Sequence, residues 1–182
     1  MGIPNLLTFL RILLIPVFIL LFYLPFRGSH VMAAILFTFA AMTDWLDGYL
    51  ARSLDQVSKL GSFLDPVADK LIVVTALVLL VGDHALPYLA IPAAIIVGRE
   101  IMVSALREWM AEIGKRAHIT VSKLGKSKTA VQMLALIFLL LYKPGGWTVF
   151  AVLGYLLLYL AALLTLWSMC IYLKAAWHDL SA

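Results

Sequence analysis

Trp147-Thr-Val-Phe-Ala-Val-Leu-Gly-Tyr-Leu-Leu-Leu-Tyr-Leu-Ala-Ala-Leu-Leu-Thr-Leu-Trp-Ser-Met-Cys-Ile-Tyr-Leu173 contains no charged side chain. A helix rises about 1.5 Å per residue, so a run of this length crosses the roughly 30 Å hydrocarbon core of a bilayer. Outward from it, apolar runs recur at about 129–143, 86–109, 64–82, 31–51 and 8–25. The 182-residue chain as a whole is 64% hydrophobic and 13% charged, with a mean hydropathy of +1.01. Soluble chains carry roughly 25% charged residues. A soluble helical bundle would need a polar outer surface that this composition does not supply. The expected fold is an all-α integral membrane protein of six transmembrane helices, forming a single domain over 1–182.

The basic residues fix an expected orientation. With an even number of spans both termini share one side. All of the 14 Lys and Arg except Arg27 and Lys143 then fall on that side or at its span ends. The positive-inside rule makes it the cytoplasm. The net charge of +4 is thus explained by topology, and no aromatic-basic interleaving points to nucleic acid. The apolar run after Arg11 carries Pro16 and is followed by Tyr23-Leu-Pro-Phe-Arg27, without a small-x-small cleavage pattern, so it reads as retained. Residues 1–11 suit a short N-terminal interfacial helix starting at Pro4 and Asn5. Asn5, Thr8 and Arg11 share one face of it, either as a basic anchor or turned toward a site that holds anionic headgroups. Cys170 is the single cysteine and reads as packing.

Four of the ten acidic residues lie in one pattern. It runs Asp44-Trp-Leu-Asp47-Gly48-Tyr-Leu-Ala51-Arg52, then Gly61-Ser-Phe-Leu-Asp65-Pro-Val-Ala-Asp69. Carboxylates in an apolar matrix are costly unless paired, hydrated or bound to a cation. Asp44 and Asp47 are i,i+3 at the end of the second span, and Asp65 and Asp69 are i,i+4 at the start of the third, so each pair projects from one helix face. The connection returns the chain to the same side, where the pairs can converge. All-oxygen ligation selects a hard cation, Mg²⁺ or Mn²⁺, and four carboxylates suffice for two ions. Gly48 would let a ligand approach the backbone. Arg52 can grip phosphate oxygens, and Ser58 can add a hydroxyl contact. Ala51 and Gly61 suit close helix packing.

The run Asp-x2-Asp-Gly-x2-Ala-Arg-x8-Gly-x3-Asp-x3-Asp resembles the signature of the CDP-alcohol phosphotransferase family. The stretches Arg99–Arg116, Val121–Thr129 and Pro4–Arg11 are similar to the branch of that family that joins CDP-diacylglycerol to glycerol 3-phosphate. The resemblance implies that an acceptor hydroxyl attacks the lipid-bearing phosphorus of the donor and that CMP leaves. It implies two metals on Asp44, Asp47, Asp65 and Asp69, with Asp69 also the base. It places Gly48, Arg52, Ser58, Thr8 and Arg11 against CDP-diacylglycerol. A homodimer in a bacterial inner membrane, with the active site facing the cytoplasm, is implied as well.

Glycerol 3-phosphate keeps its own phosphate, so something cationic should hold it. Arg99 and Glu100 interrupt the fourth apolar run, where a charge costs about 2.5–3.5 kcal/mol on insertion scales. Arg107 follows near the same face, and Lys126 and Lys128 begin the fifth span. Arg99, Arg107, Lys126 and Lys128 are the expected acceptor pocket, with Glu100 orienting one of them. Lys115, Arg116 and Lys123 read as headgroup anchors. Trp147, Trp167 and Tyr172 read as interfacial anchors, and Ser104 and Ser122 have no partnered base in view. His30, His84, His118 and His178 show no metal spacing. The alternatives are a family member with a different, phosphorylated acceptor and, from another class, a divalent-cation transporter.

Overall fold

The computed structural model describes residues 3–26, 28–53, 59–84, 87–113, 123–142 and 148–180. Side chains are described at 8–26, 28–43, 61, 64, 66–83, 88–106, 108–110, 112–113, 128–142 and 148–174. Among the described residues all regular structure is helical: α1 Ile3–Tyr23, α2 Ser29–Ser53, α3 Lys59–His84, α4 Pro87–Glu112, α5 Lys123–Leu141 and α6 Thr148–Leu180. Each overlaps one apolar run of the sequence. The expected separate N-terminal helix is absent as an element. Residues 3–11 are the first turns of α1, because no Gly or Pro stands between Pro4 and Pro16 to end the helix there. The apolar runs 31–51 and 64–82 leave 52–63 between them, but α2 continues to Ser53 and α3 already starts at Lys59.

Pro25, Gly28 and Ser29 make the first turn, where the amide of Ser29 donates to the carbonyl of Phe26 at 3.2 Å. Pro87 opens α4, where its missing N–H costs nothing. Pro16, Pro66 and Pro92 lie inside helices. Thr38 and Thr43 of α2 donate to the carbonyls of Ala34 and Ala40 at 2.7 and 2.8 Å, so neither hydroxyl is stranded in an apolar surround.

One apolar cluster draws on all six helices. It includes Phe18, Phe37, Leu77, Leu80, Leu89, Ile96, Leu136, Leu139 and Leu158. Phe18 and Phe37 meet with ring centroids 6.1 Å apart. Ala33, Ala34, Ala40, Ala76, Ala135 and Ala162 are also in it, and such small residues let helix backbones approach closely. The outward faces are apolar too: Leu13, Leu20, Ile35, Met42, Val78, Ile101, Leu156, Leu163 and Trp167 are all exposed. Helices apolar all round belong in lipid rather than water. Two of the described helices have stretches long and apolar enough to cross a membrane, Tyr88–Met110 and Thr148–Lys174, with hydropathies of 1.8 and 2.4.

α6 packs on α5 and α4. The Tyr159 hydroxyl donates to the carbonyl of Tyr88 at 2.7 Å, tying α6 to the start of α4. At Gly154 a Cβ would stand 2.7 Å from Cγ of Leu139 and 3.2 Å from its backbone nitrogen. There is no room for it unless α5 and α6 separate. Gly154→Leu is expected to lower stability by about 1–3 kcal/mol, the typical cost of overpacking a core. A fall in the thermal transition of the detergent-solubilised protein, or loss of the folded protein on expression, would show it.

Candidate active-site cleft

A cleft of about 200 Å³ opens between α3, α4, α5 and α6. α3 contributes Asp69, Lys70, Val73 and Val74, and α4 contributes Ile96, Val97, Arg99 and Glu100. Thr129, Gln132 and Met133 of α5 stand beside Lys128, and α6 adds Ser168 and Tyr172. The spacings are those of single helix faces: Asp69 and Val73, Ile96 and Glu100, Lys128 and Gln132, Ser168 and Tyr172 are each i,i+4. A cleft of this size suits a small polar molecule rather than a diacylglycerol tail.

Five charged side chains line the cleft: Asp69 and Lys70 of α3 offset each other in sign, and Arg99, Glu100 and Lys128 set the balance. Arg99 and Lys128 are buried, at 7% and 6% exposure. Glu100 reaches both: its Oε1 lies 2.6 Å from Arg99 Nη1 and 3.5 Å from Lys128 Nζ. Two cations sharing one carboxylate leave a positive charge in excess. In surroundings of low dielectric that charge acts far more strongly than it would in water. Arg99 Nη2 donates to Ser168 Oγ at 3.4 Å, and the guanidinium carbon stands 5.9 Å from the centre of the Tyr172 ring. Arg99 Nε is buried with no hydrogen-bond partner among the described residues. A buried guanidinium with spare donors is a place for an anion.

The expected acceptor residues thus divide. Arg99 and Lys128 share the cleft with Asp69. Arg107 and Lys126 lie on α4 and α5, but their side chains fall outside the described residues. Of the expected metal ligands, Asp44 and Asp47 lie in the last three turns of α2, and Asp65 and Asp69 in the first three of α3. Both pairs therefore keep their one-face spacing on formed helices. The side chains of Asp44, Asp47 and Asp65 fall outside the described residues, and among the described ones no three metal-ligating groups meet. Gly48 and Arg52 lie on α2 with side-chain positions outside the described set, and Ser58 lies outside it altogether. Thr8 and Arg11 are described and buried, at 0% and 1% exposure. Arg11 is therefore inside the bundle, where α1 packs on α2 and α3, rather than spread into surrounding headgroups.

Several lining residues escaped the sequence reading, among them Tyr172, Ser168, Lys70 and the buried Gln132. Tyr172, expected as an interfacial anchor, faces the cleft, whereas Trp167 does point outward. Ser168 was not assigned, although Ser168 and Tyr172 repeat one turn apart in an apolar run, which is the signal that marks a polar face. Lys70, next to Asp69, donates a short hydrogen bond to Ser104 Oγ. Ser104 thus has a partner, but an ammonium donor is no base, so the hydroxyl gains no nucleophilic role.

A family model for CDP-alcohol phosphatidyltransferase matches residues 1–167. A CDP-diacylglycerol–glycerol-3-phosphate 3-phosphatidyltransferase of Pseudomonas fluorescens is 59% identical over 181 residues, 99% of this chain and 92% of that one. Proteins of the same name from Pectobacterium atrosepticum and Escherichia coli K12 are 53% and 52% identical, each over 98% of this chain and 97% of theirs.

Proposed function

The chain belongs to the CDP-alcohol phosphatidyltransferase family, and we propose that it transfers the phosphatidyl group of CDP-diacylglycerol to glycerol 3-phosphate, forming phosphatidylglycerophosphate and CMP. The observation that carries the reading is the joining of Asp69, Arg99 and Lys128 in one cleft. It sets an acidic residue of the motif beside a cationic seat for an acceptor that is itself a phosphate. The names of the relatives, which state both substrates, support it. A divalent-cation transporter would have no use for the buried Arg99 and Lys128 beside its carboxylates.

In this mechanism the acceptor's phosphate rests on Arg99 and Lys128, displacing the hold of Glu100 on one or both. That fixes the free hydroxyl of glycerol 3-phosphate toward α3. Holding the two reactants in one geometry removes much of the entropic barrier. The hydroxyl oxygen attacks the phosphorus that carries the diacylglycerol. A new P–O bond forms, the P–O bond to CMP breaks in line with it, and the hydroxyl proton passes to the carboxylate of Asp69. Arg52, Gly48, Ser58, Thr8 and Arg11 hold the donor. The burial of Thr8 and Arg11 within the bundle supports a place at a site rather than at the lipid surface.

The donor set of α2 and α3 fits two Mg²⁺ or Mn²⁺ ions. It is all carboxylate, and the two formed helix ends are joined by only residues 54–58. Asp44, Asp47, Asp65 and Asp69 would hold them. Such ions, when bound, supply charge stabilisation for the developing alkoxide and the leaving diphosphate oxygen.

The proposal extends to six spans, both termini in the cytoplasm, a place in the bacterial cytoplasmic membrane with the cleft facing inward, and a homodimer. The bacterial relatives, the apolar outer faces and the one-sided basic residues support it. The test is purified protein with CDP-diacylglycerol, labelled glycerol 3-phosphate and Mg²⁺. CMP release that requires both substrates, with label entering the lipid phase in equal amount, is expected. Metal uptake into vesicles with no CMP release would instead point to the transporter.

A further inference from the structure

Arg99 stands in a stretch of α4 apolar enough to cross a bilayer, and its side chain is buried. In such a place the head takes whatever orientation its partners impose. Glu100 cannot impose one on its own, because it is the next residue on the same helix. Its tie to α5 is the 3.5 Å approach to Lys128, which fixes the carboxylate but not the plane of the guanidinium. The contacts that the guanidinium itself makes outside α4, among the described residues, come from α6. Ser168 Oγ accepts from Nη2, and the Tyr172 ring lies under the guanidinium. The two residues are one turn apart, so α6 presents a hydroxyl and a ring on one face.

These contacts have a property that a second carboxylate would lack. A carboxylate would consume N–H donors and cancel charge. An aromatic face attracts the guanidinium plane through its quadrupole and leaves the N–H edges available. At 3.4 Å the bond to Ser168 is long, and a long bond is readily exchanged for a better acceptor. The uncommitted Nε adds a donor on the Nη2 side. The arginine is therefore held in place without its donors being used up. The family-model match ends at residue 167, so neither α6 residue lies within it.

We propose that Ser168 and Tyr172 are positioning residues that hold the Arg99 guanidinium in the cleft, so that its donors meet the phosphate monoester of the acceptor. The inference rests on reading the cleft as the acceptor site.

Steady-state constants for both substrates test it. A cation–π contact changes an equilibrium by about two- to thirtyfold. Tyr172→Leu is expected to raise the KM for glycerol 3-phosphate within that range, with kcat and the KM for CDP-diacylglycerol shifted about twofold at most. Tyr172→Phe, which keeps the ring, should restore most of the acceptor affinity. Tyr172→Met supplies a second non-aromatic side chain should the leucine variant not fold. Ser168→Ala should give a smaller rise in the same constant. In an Arg99→Ala background Tyr172→Leu should add less than about twofold, because coupled residues are not additive. An undiminished effect in that background, or equal shifts in both Michaelis constants, would overturn the positioning role. So would a phenylalanine variant as impaired as the leucine one. If Arg99→Ala itself leaves the acceptor constant unchanged, the reading of the cleft fails instead, whatever Tyr172 does.

Discussion

Asp69→Asn is expected to lower kcat by about a thousandfold or more, toward the upper part of the range for removing a general base. The KM for CDP-diacylglycerol should move only a few-fold. Asparagine has nearly the same size and can still take part in hydrogen bonds, so α3 should keep its place. It cannot accept the hydroxyl proton, and it would bring no negative charge to the cations that Asp44, Asp47, Asp65 and Asp69 are proposed to hold. Asp69 is the one motif aspartate whose side chain is described, and it is half-buried on the wall of the cleft that also holds Arg99 and Lys128. CMP release by the purified variant, with donor and acceptor varied in turn, measures the effect. Residual turnover above about a tenth of wild type would remove Asp69 from the role of base, since general-base losses run far larger.

Arg99→Ala carries the second large effect. A hydrogen bond to a charged group contributes about 1.5–3 kcal/mol, which is a ten- to 150-fold change in a binding constant. The KM for glycerol 3-phosphate should rise within that range, while that for CDP-diacylglycerol stays near its original value. The variant also leaves Glu100 with Lys128 alone, at 3.5 Å. The excess positive charge of the cleft is then gone, and the remaining pair is self-neutralising. Lys128→Ala removes the other cation and should act in the same direction. A shift confined to the donor constant would show that the cleft seats the cytidine diphosphate instead.

Much of this could be read from the sequence, and the reasons differ by residue. The six helices follow from apolar runs separated by Pro, Gly and charge, because length and composition alone decide whether a segment suits a bilayer. Arg99 and Lys128 were legible because a charge inside or at the edge of an apolar run is costly enough to demand a purpose. Asp69 was legible because its spacing from Asp65 survives on any helix. Ser168, Tyr172 and Lys70 were not. In a helix otherwise apolar on every face, the one-turn repeat of Ser168 and Tyr172 is a faint signal of which face turns inward, so the orientation of α6 about its axis is set mainly by packing. Gly154 against Leu139 is one of the contacts that sets it. At the start of α1 the spacing of Asn5, Thr8 and Arg11 fixed a shared face but not whether it served as a surface anchor or looked toward a site; Thr8 and Arg11 are buried within the bundle, and the separate interfacial helix is merged into α1.

The most direct test is acceptor selectivity, measured as the ratio of kcat/KM for glycerol 3-phosphate to that for glycerol. Wild type and Arg99→Ala are compared in the same membrane mimic with CDP-diacylglycerol saturating. The two acceptors differ only in the phosphate, so the ratio isolates what the cleft does for that group. A large ratio in wild type, falling by about ten- to 150-fold in Arg99→Ala with glycerol turnover unchanged, is the expected result. A ratio that Arg99→Ala leaves intact would contradict the assignment of the cleft to the acceptor's phosphate.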